Sequence, residues 1–272
     1  MRSGSIIKYA LFVVMGIAIV SIACTRNGTL VATPTLEPTP SLEPTPSLRP
    51  SVTAMPPSTI VYRELNLASP AAVPHWDIHL TPSPILAAWG PGIVYSRLLR
   101  FRSGPSVPVP NTATECDLCA SWEQVDSTTY LFRLRKDVRW QDIPPVYGRR
   151  LVAQDIAFSY RRQGNHNYPN APLLENLKSV EVQDEETLRI VLEAPSADFL
   201  IGLASGFSKI VAPEAVMLNG HLEDGPIIGS GPWLWDDTQD YMSYFFNANP
   251  DYYEYGLPSL DRLKIHVIED EQ

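Results

Sequence analysis

The chain has few basic residues, only three cysteines and none of the short motifs that mark the common enzyme sites. Its 21 Lys and Arg stand against 30 Asp and Glu, for a formal net charge of −9. Because nucleic-acid binding requires a surplus of positive charge on at least one surface, this balance argues against a nucleic-acid partner. The densest positive pairs, Arg149 with Arg150 and Arg161 with Arg162, are interpreted as solvated surface.

The missing motifs bear on catalysis. No G-x-S-x-G nucleophile elbow and no G-x-x-x-x-G-K phosphate loop occurs, and no complete G-x-G-x-x-G follows a strand pattern. The sequence therefore predicts neither an enzyme nor a bound cofactor.

One short segment, "HWDIH", offers candidate metal ligands. His75, Asp77 and His79 alternate, so an extended backbone would project all three to one side, where they could bind a divalent ion. Ordinary loop and strand-end side chains are the more common use of such residues. No metal site is predicted.

The N-terminus resembles an export signal. Arg2 and Lys8 precede an uncharged run from Tyr9 to Ala23, which is short for a membrane span of about 20 apolar residues. The run ends in "VSIAC", which resembles the lipobox at which a bacterial signal is cut and the cysteine is lipidated. We expect residues 1–23 to be a lipoprotein signal peptide and Cys24 to carry lipid, with an uncleaved helical anchor as the alternative. Either way, the bulk of the chain is expected outside the cytoplasm, on the outer face of the cell membrane.

Proline dominates the next segment, which repeats "EPTPSL". Proline fixes φ and removes backbone donors, so such a segment favours an extended polyproline-like spacer over helix or sheet. Residues 24–58 are therefore predicted to be a tether.

Residues 59–272 have the patterns of an ordered domain. In "YLFRLRKDVRW", Tyr130, Phe132 and Leu134 alternate with polar residues, as in a half-buried strand. "SVEVQDEETLRIVLEA" predicts a hairpin, "LKIHVIE" another strand, and "VAQDIAFSYRRQG" a short amphipathic helix that ends at Gly164. Hairpins with irregularly interspersed helices indicate a mixed α+β fold within the broad α/β class.

Five segments together resemble the family 5 extracellular solute-binding proteins, the peptide, dipeptide and nickel type that serve ABC importers. "HWDIHL" is similar to that family's early Leu-Asp-Pro-His segment, and "CDLCASWEQVDSTTYLFRLRKDVRWQD" to its "DLA-x-SWE" run and the strand that follows. "LVAQDIAFSYRR", "IIGSGPWLW" and "NANPDYYEYGLPSLDRLKIHVI" are similar to three later segments, in the same order. In the helix segment Val152 replaces the usual threonine, which would remove an N-cap worth about 1 kcal/mol.

The resemblance implies a two-lobed clamshell that closes on a solute without making or breaking bonds and delivers it to permease subunits. The solute would be a peptide or another small molecule. A stretch after the Asp-Pro-His segment borders the cleft in this family, and it carries over to Leu80, Thr81, Pro82, Ser83 and Pro84. Family members continue beyond the end of this sequence, so the chain is expected to hold an incomplete first lobe, lack the second, and bind solute weakly by itself.

Cys116 and Cys119 have the spacing of a redox dithiol or of half a zinc site. Export removes the reducing cytoplasm, so we predict a local disulfide, although a free dithiol stays open. A secreted thiol-disulfide protein, which would need a helix N-terminus beside the pair, is one alternative function. A non-transporting surface scaffold is the other.

Overall fold

The computed structural model describes residues 62–240 and 242–268. The predicted signal peptide at 1–23, the predicted lipidation site Cys24 and the tether at 24–58 lie outside the described residues.

The described residues contain ten strands and three α-helices. The strands are β1 (Glu64–Ser69), β2 (Leu99–Phe101), β3 (Thr114–Cys116), β4 (Cys119–Asp126), β5 (Thr129–Leu134), β6 (Leu177–Val182), β7 (Thr187–Leu192), β8 (Trp233–Asp240), β9 (Ser243–Ala248) and β10 (Arg262–Val267). The helices are α1 (Ala153–Gln163), α2 (Phe199–Ala204) and α3 (Pro213–Asn219). Short helical turns occupy Ile85–Trp89, Pro91–Val94 and Ala171–Leu174. The mixed α+β class is confirmed.

The first sheet joins the two ends of the described chain. Its order is β1-β10-β9-β8, with β1 parallel to β10 and the other neighbours antiparallel. The strand predicted from "LKIHVIE" is confirmed as β10, and its alternate residues Leu263, Ile265 and Val267 are buried. A side-chain period of two places all three on the core face of the sheet.

The second sheet is antiparallel and has the order β4-β5-β7-β6. Both sequence predictions that fall on it are confirmed. Tyr130, Phe132 and Leu134 of β5 are buried, and the predicted hairpin is formed by β6 and β7. A separate two-stranded pair, β2 with β3, completes the strands of the described part.

Helix α1 packs on β6 and β7 of the second sheet and also contacts α3. The expected loss of an N-cap at Val152 is compensated, because the carboxylate of Asp155 accepts the backbone N–H of Val152 at 3.0 Å. This contact is the half of a capping box that does not need a polar N-cap side chain. The helix ends as predicted at Gly164, whose N–H donates to the carbonyl of Tyr160 at 2.9 Å.

Within residues 62–240 and 242–268, every helix is too short or too polar to cross a lipid bilayer.

Candidate functional site

The segment His75–Pro84 passes from the core to the surface of the protein. Asp77, Ile78 and His79 are completely buried, whereas the five residues from Leu80 to Pro84 are half-buried or exposed. The backbone turns at this change, where the N–H of Leu80 donates to the carbonyl of Asp77 at 3.2 Å. The buried part anchors the segment, and the following residues lie at the surface.

A buried ion pair holds the anchor in place. The guanidinium of Arg162, on α1, donates to both carboxylate oxygens of Asp77, at 3.0 Å and 2.5 Å. Backbone N–H groups of Leu222 and His79 also donate to this carboxylate, at 2.9 Å and 3.1 Å. Burial by itself would raise the pKa of Asp77, but Arg162 and the two N–H groups hold it below its usual value. The carboxylate therefore joins three parts of the chain: the His75–Pro84 segment, α1 and the loop after α3.

His79 completes this network as a neutral imidazole. Its Nδ1 lies 2.9 Å from Nη1 of Arg162, which can only donate, so Nδ1 accepts. Nε2 then carries the hydrogen and donates to the carbonyl of Lys209 at 2.9 Å. Burial first, and then the charge of Arg162, lowers the pKa of His79 to about 4.

The network shows why the alternating "HWDIH" ligands do not converge on a metal ion. Asp77 and His79 both face Arg162, whereas the Nε2 of His75 lies 2.9 Å from the hydroxyl of Thr81. Among the described residues, no group of three or more His, Cys, Asp or Glu side chains is arranged to hold a metal.

Sequence reasoning missed Arg162. The pair Arg161 with Arg162 was interpreted as solvated surface, and this is wrong for Arg162, whose side chain is only 6% exposed. A signal was present in the sequence. Asp155, Ser159 and Arg162 follow one another at helical spacing, and all three are buried on one face of α1. Arg149 and Arg150 are half-buried and form ion pairs with Asp155, Glu214 and Glu186.

The five residues that are predicted to face the ligand differ in what their side chains already contact. Ser83 is engaged by the helical turn that follows, because its hydroxyl accepts the N–H of Leu86 at 3.3 Å and its carbonyl accepts that of Ala87 at 3.0 Å. Pro82 and Pro84 are exposed but have no polar side-chain atoms. Leu80 and Thr81 are both half-buried, and the hydroxyl of Thr81 lies 2.9 Å from Nε2 of His75. Their contact with a solute stays a prediction.

An aromatic cluster lies beside this segment. The rings of Trp76 and Trp235 have centroids 4.9 Å apart, and Tyr244 and Phe246 pack on Trp235. Tyr244 also accepts the N–H of Val73 at 2.8 Å, which ties the chain before His75 to β9. Both tryptophans are only half-buried, so the cluster combines packing with exposed aromatic surface of the kind that suits a ligand cleft.

Cys116 and Cys119 are joined by a disulfide between the end of β3 and the start of β4, with Cα atoms 5.0 Å apart. Between them, the carboxylate of Asp117 accepts the backbone N–H of Arg97 at 2.9 Å and the hydroxyl of Tyr253. None of the described helices begins beside the pair, so the feature that would lower a thiol pKa for redox chemistry is not found there.

Both a family model and individual relatives match this chain. A family model described as "Bacterial extracellular solute-binding proteins, family 5 Middle" matches residues 108–272. Di/tripeptide-binding protein 4 of Pseudomonas aeruginosa is 30% identical over 230 residues, which are 76% of this chain and 42% of that protein. Heme-binding protein A of Haemophilus influenzae is 33% identical over 199 residues, which are 65% of this chain and 35% of that protein.

A solved structure, that of HbpA2 from Haemophilus parasuis, superposes with a TM-score of 0.64 at 28% identity. The match covers 76% of this chain and 43% of that one. The chain thus spans less than half the length of these relatives, and the matched part corresponds to a single lobe.

Proposed function

Since the chain belongs to the bacterial extracellular solute-binding proteins of family 5, we propose that it acts as a peptide-binding receptor for an ABC importer. The similarity to a di/tripeptide-binding protein over 76% of the chain is the observation that carries this proposal. A dipeptide-binding protein of Escherichia coli, 31% identical over 199 residues, supports the same solute class. The receptor binds and releases its solute, and its partners are permease subunits in the membrane.

The described lobe supplies one wall of the binding cleft in this proposal. Leu80 contributes an apolar side chain and Thr81 a hydroxyl that it shares with His75, and the half-buried rings of Trp76 and Trp235 contribute aromatic surface. The buried Asp77–Arg162 pair keeps this wall in position. Because solute is held between two lobes in a clamshell, this wall would form one of the two contact surfaces.

Heme is the second candidate solute. The relative with 33% identity is named a heme-binding protein, and exposed aromatic rings suit a planar ligand as well as a peptide side chain. The two candidates are distinguished by direct binding.

The deciding experiment is equilibrium dialysis of the full chain, in detergent, against a panel of di- and tripeptides and against hemin. We expect saturable peptide binding that is at least about tenfold weaker after Leu80→Asp, because a buried contact would be replaced by a charge. Leu257→Asp is the matched control, since Leu257 is an exposed leucine in a loop before β10. Binding of hemin without peptides would replace peptide by heme as the solute. Binding of neither, or equal effects of the two substitutions, would count against the proposal.

Lipid on Cys24 is part of the same proposal. An anchored receptor on a proline-rich tether stays near its permease, which raises its local concentration there. We expect the full chain to fractionate with membranes in a bacterial host and Cys24→Ser to reduce that fraction. The double variant Cys116→Ser with Cys119→Ser serves as the control for cysteine substitution elsewhere in the chain, and an unchanged distribution of the Cys24 variant would contradict lipidation.

A further inference from the structure

One cavity in the described part of the chain lies apart from the segment Leu80–Pro84. It has a volume of about 780 Å³ and lies between the last turn of α1, the helical turn Ala171–Leu174 and β6. This volume is within the range of small-molecule sites. The proposed peptide-binding wall does not use any residue that lines it.

Positively charged side chains line this cavity without forming ion pairs to the described residues. Arg161, His166 and Lys178 line it, and none of them forms an ion pair with a described residue. Most other Lys and Arg residues in the described ranges, such as Arg100 and Arg149, form ion pairs with carboxylates at 4.0 Å or less. Arg161 of α1 and Lys178 of β6 thus bring two unpaired cations to one cavity in a chain with a net charge of −9.

The backbone contributes to the placement of both cations. Nη2 of Arg161 donates to the carbonyl of Val180 on the edge strand β6 at 2.7 Å, and its remaining N–H groups have no partner among the described residues. Lys178 is the extra residue of a β-bulge, since Leu177 pairs with Leu192 and Ser179 with Val191. A bulge redirects the side chain of the extra residue. Arg161 is thus held by a hydrogen bond, and Lys178 occupies the bulge, while neither has a carboxylate partner among the described residues.

Two observations argue against a binding site for an anion, and both are weaker than the presence of unpaired cations. Glu175 also lines the cavity, but it is one carboxylate against two permanent cations. Basic residues near a helix C-terminus can interact favourably with the helix dipole. Arg161, however, donates its hydrogen bond to a carbonyl of β6, and Lys178 lies on a strand. The remaining wall is largely apolar and includes Leu174 and Leu177.

We propose that this cavity binds a small organic carboxylate, with its anionic group between Arg161 and Lys178 and its apolar body against Leu174 and Leu177. Guanidinium and ammonium groups form strong, charge-assisted hydrogen bonds with a carboxylate. An inorganic anion would leave the apolar half of the wall without a contact. The site is additional to the proposed peptide receptor function and does not depend on it.

Isothermal titration calorimetry of the full chain with octanoate and with phenylacetate tests the site, and phenylacetamide and inorganic phosphate serve as comparison ligands. We expect one saturable site for a carboxylate with a Kd of about 1 mM or tighter. Phenylacetamide should bind at least about tenfold more weakly, because it lacks the charge. Failure of both carboxylates to bind, or equally tight binding of the amide or of phosphate, would overturn the proposal.

Paired double variants assign the binding to this cavity. Arg161→Gln with Lys178→Gln should weaken carboxylate binding at least about tenfold. The control, Arg139→Gln with Lys264→Gln, removes the same charge from residues that also form no ion pair with a described residue, and should change binding less than about twofold. Equal losses in the two double variants would show a general charge effect and reject the site. We expect unchanged thermal unfolding of both double variants, because Arg161 and Lys178 are exposed. This result would exclude misfolding as the cause of weaker binding.

Discussion

Asp77 and Arg162 illustrate how a charged pair can be buried at acceptable cost. Removing either charge from water is unfavourable, and the loss is offset only where geometry and additional hydrogen bonds are good. Here the guanidinium contacts both carboxylate oxygens, and two backbone N–H groups complete the carboxylate. The buried pair is therefore favourable only when both charges are present. Loss of one residue leaves the charge of the other buried without a partner.

We expect Asp77→Asn to lower the free energy of unfolding by about 3–5 kcal/mol, because the charge of Arg162 would remain buried and uncompensated. Urea denaturation followed by circular dichroism measures the change. The matched control is Asp261→Asn, which breaks the exposed ion pair between Arg63 and Asp261 and should have a much smaller effect. Equal losses in the two variants would contradict a special role for the buried pair.

His79 makes stability depend on pH. The unfolded chain takes up a proton at this residue near its ordinary pKa of 6.5, whereas the folded protein does so only near about 4. Between these values the unfolded state binds more protons, so the free energy of unfolding should fall as the pH decreases through this window. Denaturation at several pH values measures the slope. His79→Gln can still accept from Arg162 and donate to Lys209, and it should reduce the slope between pH 6.5 and 4; an unchanged slope would refute the assignment.

At the scale of elements, local patterns were sufficient where one face of a strand or helix is buried. Leu188, Ile190 and Leu192 of β7 are buried at alternate positions, which is the pattern that predicted the hairpin. Helix α1 was predicted from the spacing of Ile156 and Tyr160, and both are buried. The cap of α1 was not predicted, because the N-cap position was judged by the side chain of Val152. The cap is instead formed by the backbone N–H of Val152 and the carboxylate of Asp155.

The disulfide between β3 and β4 closes a very short loop, so its contribution to stability should be modest. For a loop of this length, the loss of chain entropy corresponds to about 2 kcal/mol. We expect Cys116→Ser with Cys119→Ser to lower the free energy of unfolding by about that amount in urea. The wild-type chain unfolded with a reducing dithiol should show the same loss. A double variant that fails to fold would contradict this modest contribution.

For the whole molecule, the described part has an open sheet edge at β1. This strand pairs with β10 on one side, and within the described ranges no strand pairs with its other side. Leu65 of β1 is 42% exposed. An unpaired edge with exposed apolar residues favours association between copies.

We therefore expect Leu65→Lys to reduce self-association of the full chain in sedimentation velocity at increasing protein concentration. The comparison variant is Leu257→Lys, which adds the same charge at a loop leucine that is 49% exposed. If both variants reduce association equally, net charge and not the edge of β1 is responsible.

The family of the chain and its mixed α+β class followed from the sequence alone. Alternating and helical patterns are local, and five motifs in a fixed order are specific even when each one is not. The strand order, the parallel pairing of β1 with β10 across about 200 residues, and the cation-lined cavity were not predictable in this way.

Only the tertiary structure decided what the charged residues do. Asp77 and Arg162 are separated by 85 positions, and the sequence does not indicate that they meet. Their burial depends on the packing of α1 against the His75–Pro84 segment and the loop after α3. Local sequence determines which face of an element is apolar, whereas the partner of a buried charge is determined by elements that are distant in the chain.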